Sequence, residues 1–138
     1  MLQPNKILVI RFSSLGDLIL TSPIFRELRR IFPGANLNLL TSVGFGDVLD
    51  NNPHLDRIIK HPRKENFEQL NQLIEELKAE AFDLIYDAHR SMRSRWIVSR
   101  LTAFGMKRKP AVWKINKRTL NRKLLIHLGW NRLQQGLS

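Results

Sequence analysis

The chain has 138 residues, 43% of them apolar, and no cysteine. That length suits one domain burying roughly two thirds of its unfolded surface, and it excludes a second complete domain, a disulfide framework, a thiolate nucleophile and a cysteine-ligated metal. The net charge of +11 is unevenly placed: Met1 to Ala88 carries 10 Lys or Arg against all 12 acidic residues, and His89 to Ser138 carries 13 against none, a field that attracts an anionic partner.

No run of about 18 apolar residues is present to span a bilayer, and the N-terminus lacks the blocks of a signal peptide, so the expected location is the cytoplasm. The histidines His54, His61, His89 and His127 lack metal-motif spacing.

In chain order, Lys6 to Phe12 is a continuous β-branched and apolar run, as a strand buried on both faces requires. A Ser-Ser-Leu-Gly-Asp turn follows. Leu20, Ile24, Leu28 and Ile31 then recur at helical spacing, with Arg26, Glu27, Arg29 and Arg30 at the polar positions, and Pro33-Gly34 ends the helix. Pro23 either kinks this helix or, with Ser22 as cap, opens a restarted one.

A second strand is predicted over Asn36 to Thr41, a short helix over Phe45 to Asn51 and a third strand over Asp56 to Lys60. The clearest helix follows, with Phe67, Leu70, Leu73, Ile74, Leu77 and Ala81 on one stripe. A fourth strand, Phe82 to Ala88, leads to a helix from about Ser91 to Ala103, and a short extended piece near Lys107 to Val112 is a candidate fifth strand. The alternation predicts an α/β fold, a Rossmann-like parallel sheet with helices on both faces.

Residues 1–116 form the expected domain, and 117–138 a basic C-terminal segment. Within that segment Leu120, Leu124, Leu125 and Leu128 make an apolar stripe beside Lys117, Arg118, Arg122, Lys123 and Arg132. Such a helix lies on anionic lipid, with Trp130 near the headgroups, or packs on this domain or on another.

In a doubly wound sheet the ligand sits at the carboxyl ends of the strands. The first loop, Phe12 to Asp17, has one glycine and no Gly-Lys-Ser/Thr ending, which disfavours nicotinamide and P-loop ATP sites. It offers the Ser13 and Ser14 hydroxyls, Gly16 for close backbone approach, and the Asp17 carboxylate at a helix start. Asp17 there is an N-cap or, against a sugar hydroxyl, a general base. The exits of the third strand (His61 to Lys64) and of the fourth (Asp87 to Arg95) are both basic, and arginine suits carboxylate and phosphate oxygens. Arg63, Lys64, His89 and Arg93 are the candidates for binding an anionic ligand, each weighed against a solvated surface role. Trp96, Trp113 and Trp130 form no RNP-like or zinc-finger pattern, which disfavours nucleic acid as a partner.

The block from Lys6 to Asp17, followed by Pro23 and Pro33-Gly34-Ala35, resembles the N-terminal signature of glycosyltransferase family 9, the lipopolysaccharide heptosyltransferases. Asn52-Pro53 with Leu55 to Ile59, and Phe82 to His89 with Arg93-Ser94, resemble later blocks in the same order. The resemblance spans about residues 5 to 130. It implies the acceptor-binding N-terminal half of a GT-B fold, in an inverting enzyme that moves heptose from ADP-heptose to the lipopolysaccharide inner core at the cytoplasmic face of the inner membrane. It implies Asp17 as the base, acceptor contacts at Ser13, Ser14 and Arg93, and no metal or cofactor in this half. Arg90 departs from the pattern, since many members carry a small residue there. Length departs further, because the donor-binding motifs are absent and the chain alone is expected to be inactive. The alternative is a non-catalytic module that binds anionic glycolipid or a membrane surface.

Overall fold

The computed structural model describes residues 4–12, 21–44, 49–62, 66–103 and 110–114. Among these, five strands form one parallel sheet: β1 (Lys6–Ile10), β2 (Asn36–Ser42), β3 (Arg57–His61), β4 (Leu84–Asp87) and β5 (Ala111–Lys114), in the order β3-β2-β1-β4-β5. The helices are α1 (Ser22–Ile31), α2 (Phe67–Glu80) and α3 (Met92–Leu101). The expected Rossmann-like α/β class is the one observed.

β1 is central because its sequence tolerates no water. Ile7, Leu8, Val9 and Ile10 are each at most 1% exposed. Since side chains alternate along a strand, they feed two cores. Ile7 and Val9 join Leu37, Leu39 and the α1 residues Phe25 and Leu28 on one face. Leu8 and Ile10 join Leu40, Ile85, the α2 residues Ile74 and Leu77, and the α3 residues Ile97 and Leu101 on the other. Trp113 on β5 extends the first core, packing on Phe32 and edge-on against Tyr86.

Several local expectations shift. Helix α1 starts at Ser22 with Thr21 as N-cap, and Pro23 lies in its first turn, where a missing N–H is harmless, so the helix is not kinked there. Its inward stripe is phased on Phe25 and Leu28, while Ile31 is 47% exposed. On α2, Phe67 stands 67% exposed instead of joining the stripe. Ala81 is no part of that stripe either; it closes the helix in the left-handed conformation at φ 55°. The fifth strand lies at Ala111–Lys114, later than expected. Phe45 to Val48, Lys107 to Lys109 and the basic segment 117–138 lie outside the described residues, as does the boundary at 116.

The amino ends of the strands are tied by carboxylates. Asp83 Oδ2 accepts from the backbone N–H of Asn5 and Lys6 at 2.9 and 3.0 Å. Asp56 Oδ2 accepts from Leu37 N at 2.7 Å and from Arg29 Nη2 at 2.6 Å. Glu80 takes Lys6 Nζ at 2.7 Å and Arg57 Nη1 at 2.8 Å. The Leu37 N–H, followed by Arg29, holds the Asp56 carboxyl below its ordinary value, and Lys6, followed by Arg57, does the same for Glu80.

Two outcomes are expected from this geometry. Ala81→Gly removes a left-handed Cβ at an exposed helix end and should raise stability in urea unfolding by about 1 kcal/mol. Groups with lowered folded pKa stabilise fully above their ordinary values, 4.5 for Glu80 and 3.8 for Asp56, and the contribution is lost as pH falls through the lower folded values. Stability followed by circular dichroism should therefore fall in acid below about pH 4.5. In Glu80→Gln it should be lower at neutral pH and decline less steeply in acid.

Candidate active-site crevice

The order β3-β2-β1-β4-β5 reverses direction between β1 and β4, and the chain leaves these two strands toward opposite faces of the sheet. A crevice opens at such a point, outside the carboxyl ends of the strands. Its floor is the pair of exits Arg11-Phe12 and Asp87-Ala88-His89. The sheet pairing runs on into it: Arg11 N donates to Leu40 O at 3.0 Å and Ala88 N to Ile10 O at 3.1 Å.

Asp87 organises the β4 exit. It is 2% exposed. Its Oδ1 accepts from His89 N at 3.1 Å and Arg90 N at 2.7 Å, the Asx pattern that tightens a turn. Its Oδ2 accepts from the wholly buried Ser94 hydroxyl at 3.1 Å. Ser94 is also the third helical residue of the capping box that starts α3. Its N–H donates to Ser91 Oγ at 3.1 Å, and its Oγ accepts from Ser91 N at 2.9 Å. One carboxylate thus sets the end of β4, the turn and the start of α3.

That turn is joined to the β1 exit. Phe12 N donates to His89 Nδ1 at 2.9 Å. A neutral ring that accepts at Nδ1 carries its proton at Nε2. Arg11 Nη1 donates to Ala88 O at 2.6 Å. The Arg93 guanidinium lies 3.9 Å from the centre of the Phe12 ring, and its Nη2 donates to Pro62 O at 3.1 Å. Arg93 therefore clamps the exits of β1 and β3 to α3, a role beyond the simple ligand contact expected for it.

Of the residues singled out from the sequence, His89 and Arg93 come together against Phe12. Ser13, Ser14, Gly16, Asp17, Arg63 and Lys64 lie outside the described residues. Asp87, Ser94 and Arg11 had no sequence signal beyond membership of the strand exits. A Ser-x-x-Ser spacing at a helix start is the one clue to the cap, and it is weak. A second cavity, of about 280 Å³, runs along β3 and is lined by Asp50, Leu55, Asp56, Arg57, Ile58 and Lys60. Its charged residues pair with one another or with Arg29 and Glu80, which suits stability more than chemistry.

No family model matches the chain. Lipopolysaccharide heptosyltransferase 1 of Pseudomonas aeruginosa is 28% identical over 101 residues, covering 67% of this chain and 28% of that protein. Among solved structures, the family 9 glycosyl transferase of Veillonella parvula superposes with a TM-score of 0.71 at 22% identity, over 85% of this chain and 37% of that one. The E. coli heptosyltransferase WaaC with ADP-2-deoxy-2-fluoro heptose superposes with a TM-score of 0.65 at 22% identity, over 83% and 38%. The sheet and its helices have the Rossmann-like fold of the GT-B-like kind seen in these glycosyltransferases. More particularly, the chain is heptosyltransferase-like and similar to a part of the glycosyltransferase family 9 proteins, spanning about a third of the relatives it matches.

The Asp87 network yields a stability test. Asp87→Ala leaves two backbone N–H groups without their acceptor, while the Ser94 hydroxyl keeps only the Ser91 carbonyl at 3.0 Å, and should cost about 2–4 kcal/mol in urea unfolding, whereas Ser94→Ala should cost about 1 kcal/mol. Equal costs would show that the carboxylate does not organise the turn.

Proposed function

We propose that this chain is the acceptor-binding half of an inverting glycosyltransferase, which moves heptose from ADP-heptose to the lipopolysaccharide inner core at the cytoplasmic face of the inner membrane. The observation that carries the reading is the crevice between β1 and β4, where the β1 exit leading into Ser13-Ser14-Leu15-Gly16-Asp17 is fastened to His89 and Arg93. Relatives named as lipopolysaccharide heptosyltransferases, one of them solved with an ADP-heptose analogue, support the substrate class.

In this reading Asp17 accepts the proton of an acceptor hydroxyl as that oxygen attacks the anomeric carbon. The bond from that carbon to the ADP phosphate oxygen breaks, ADP leaves with the electron pair, and the configuration inverts. His89, fastened to the β1 exit, contributes to the acceptor site. Ser13, Ser14 and Gly16 line the turn, and Arg63, Lys64 and Arg93 offset the charge of acceptor phosphates and acidic sugars. The donor binds a second domain, and the cation-rich segment after His89 keeps the enzyme near anionic lipid.

In the full-length enzyme, Asp17→Asn should lower the transfer rate by roughly 10²- to 10⁴-fold with acceptor affinity retained. Transfer at the normal rate would remove Asp17 from the role of base. Calorimetry of the 138-residue chain should give acceptor binding without donor binding.

A further inference from the structure

Outside the crevice, one surface is out of keeping with a water-facing helix. Phe67, Met92 and Trp96 are 67%, 88% and 40% exposed. Met92 and Trp96 are four residues apart on α3 and share a face. The Phe67 ring meets Trp96 across the two helices with centroids 6.3 Å apart. Arg100 continues the stripe, its guanidinium 5.9 Å from the Trp96 ring centre, and Arg90 and Arg95 are exposed nearby in sequence.

The helix starts that carry two of these side chains are fixed. Phe67 and Met92 are each the first residue of a helix that begins with a complete capping box, Asn66 with Gln69 on α2 and Ser91 with Ser94 on α3. Both helices begin at the carboxyl end of the sheet, beside the crevice. Fixing a large apolar side chain in water gains nothing for the fold, since the hydrophobic term favours burying it.

We propose that Phe67, Met92 and Trp96, with Arg100 against Trp96 and the exposed Arg90 and Arg95 nearby in sequence, form the face by which this domain docks on an anionic bilayer. Two observations favour lipid over a protein partner. Three side chains offer a few hundred Å² of apolar surface, against the about 800 Å² per partner of a stable protein interface. The charge is complementary as well: α3 carries Arg93, Arg95 and Arg100 and no acid. An aromatic and a methionine at acyl depth, with arginines reaching back to the phosphates, is the arrangement an interface rewards. The proposal refines the membrane contact inferred above and is independent of the transfer chemistry. It places the crevice mouth close to the lipid surface.

The test is sedimentation of the 138-residue chain with vesicles of phosphatidylethanolamine and phosphatidylglycerol, and with vesicles of phosphatidylcholine alone. The native chain should bind the anionic vesicles and not the neutral ones. Phe67→Ser/Met92→Ser/Trp96→Ser should lower that binding by on the order of 100-fold with thermal unfolding unchanged. Arg95→Gln/Arg100→Gln should lower it about fivefold per arginine and flatten its salt dependence. Because the chain has no cysteine, Met92→Cys takes a single nitroxide label, which on bound vesicles should lie below the phosphates, while one at Glu75→Cys should stay in water. Binding that survives the triple serine substitution, or a label at 92 that stays in water, would assign the contact to another part of the chain and overturn the proposal. So would self-association that the triple substitution abolishes, or no binding by the native chain. None of these outcomes bears on transfer by the full-length enzyme, and normal transfer by Asp17→Asn would leave the docking face untouched.

Discussion

A parallel strand paired on both edges leaves the chain two ways out, and right-handed crossovers to opposite edges must use opposite faces of the sheet. β1 is such a strand, in register with β2 on one side and β4 on the other. Its apolar residues alternate into two cores, which is why helices must cover both faces. The crevice follows, since the exits of β1 and β4 diverge and nothing in the sheet lies between them. What remains is to hold those exits in a defined relation, and side chains do so through Phe12 with His89, Arg11 with Ala88, and Arg93 with Phe12.

The two ends of the sheet divide the charge. At the amino end Asp56, Glu80 and Asp83 accept from backbone N–H groups and cations, so carboxylates there are matched. At the carboxyl end Asp87 is the buried carboxylate, and its bonds serve the turn and α3. Arg11 and Arg93 at that end fasten the strand exits to one another. A charge count along the chain carries this polarity only as a break near Ala88; the fold converts it into a spatial one.

Periodicity made the sheet and the main helices legible, because the buried strands are unbroken apolar runs and the inward stripe of α2 is regular. The phase of α1 was less so. Its sequence is apolar at 24, 25, 28 and 31, and only the sheet beneath it selects Phe25 and leaves Ile31 in water. Arg29 reads as a solvent-facing cation, yet it bonds the carbonyls of Ala35 and His54 and the carboxylate of Asp56, which lies 27 positions on. At the site, His89 and Arg93 were legible from their place after β4. The Asp87–Ser94 bond was not, because a residue's hydrogen-bond partner across a turn and a helix start leaves no periodic trace. The Ser-Ser-Leu-Gly-Asp turn was recognisable by resemblance alone, as the generic prior for an aspartate at a helix start is a cap.

Arg90 is where local strain and charge meet. Its φ of 57° is a left-handed conformation that costs a residue with a Cβ roughly 1–2 kcal/mol. The turn tolerates Arg90 because its N–H donates to Asp87 Oδ1 at 2.7 Å, a bond to a buried carboxylate that opposes relaxation of the backbone. Strain of this kind persists where the surrounding structure over-determines it. The residue so held is exposed. In sequence Arg90 stands beside His89 of the crevice and two residues before Met92 of the exposed apolar face, so the strained turn joins the two surfaces.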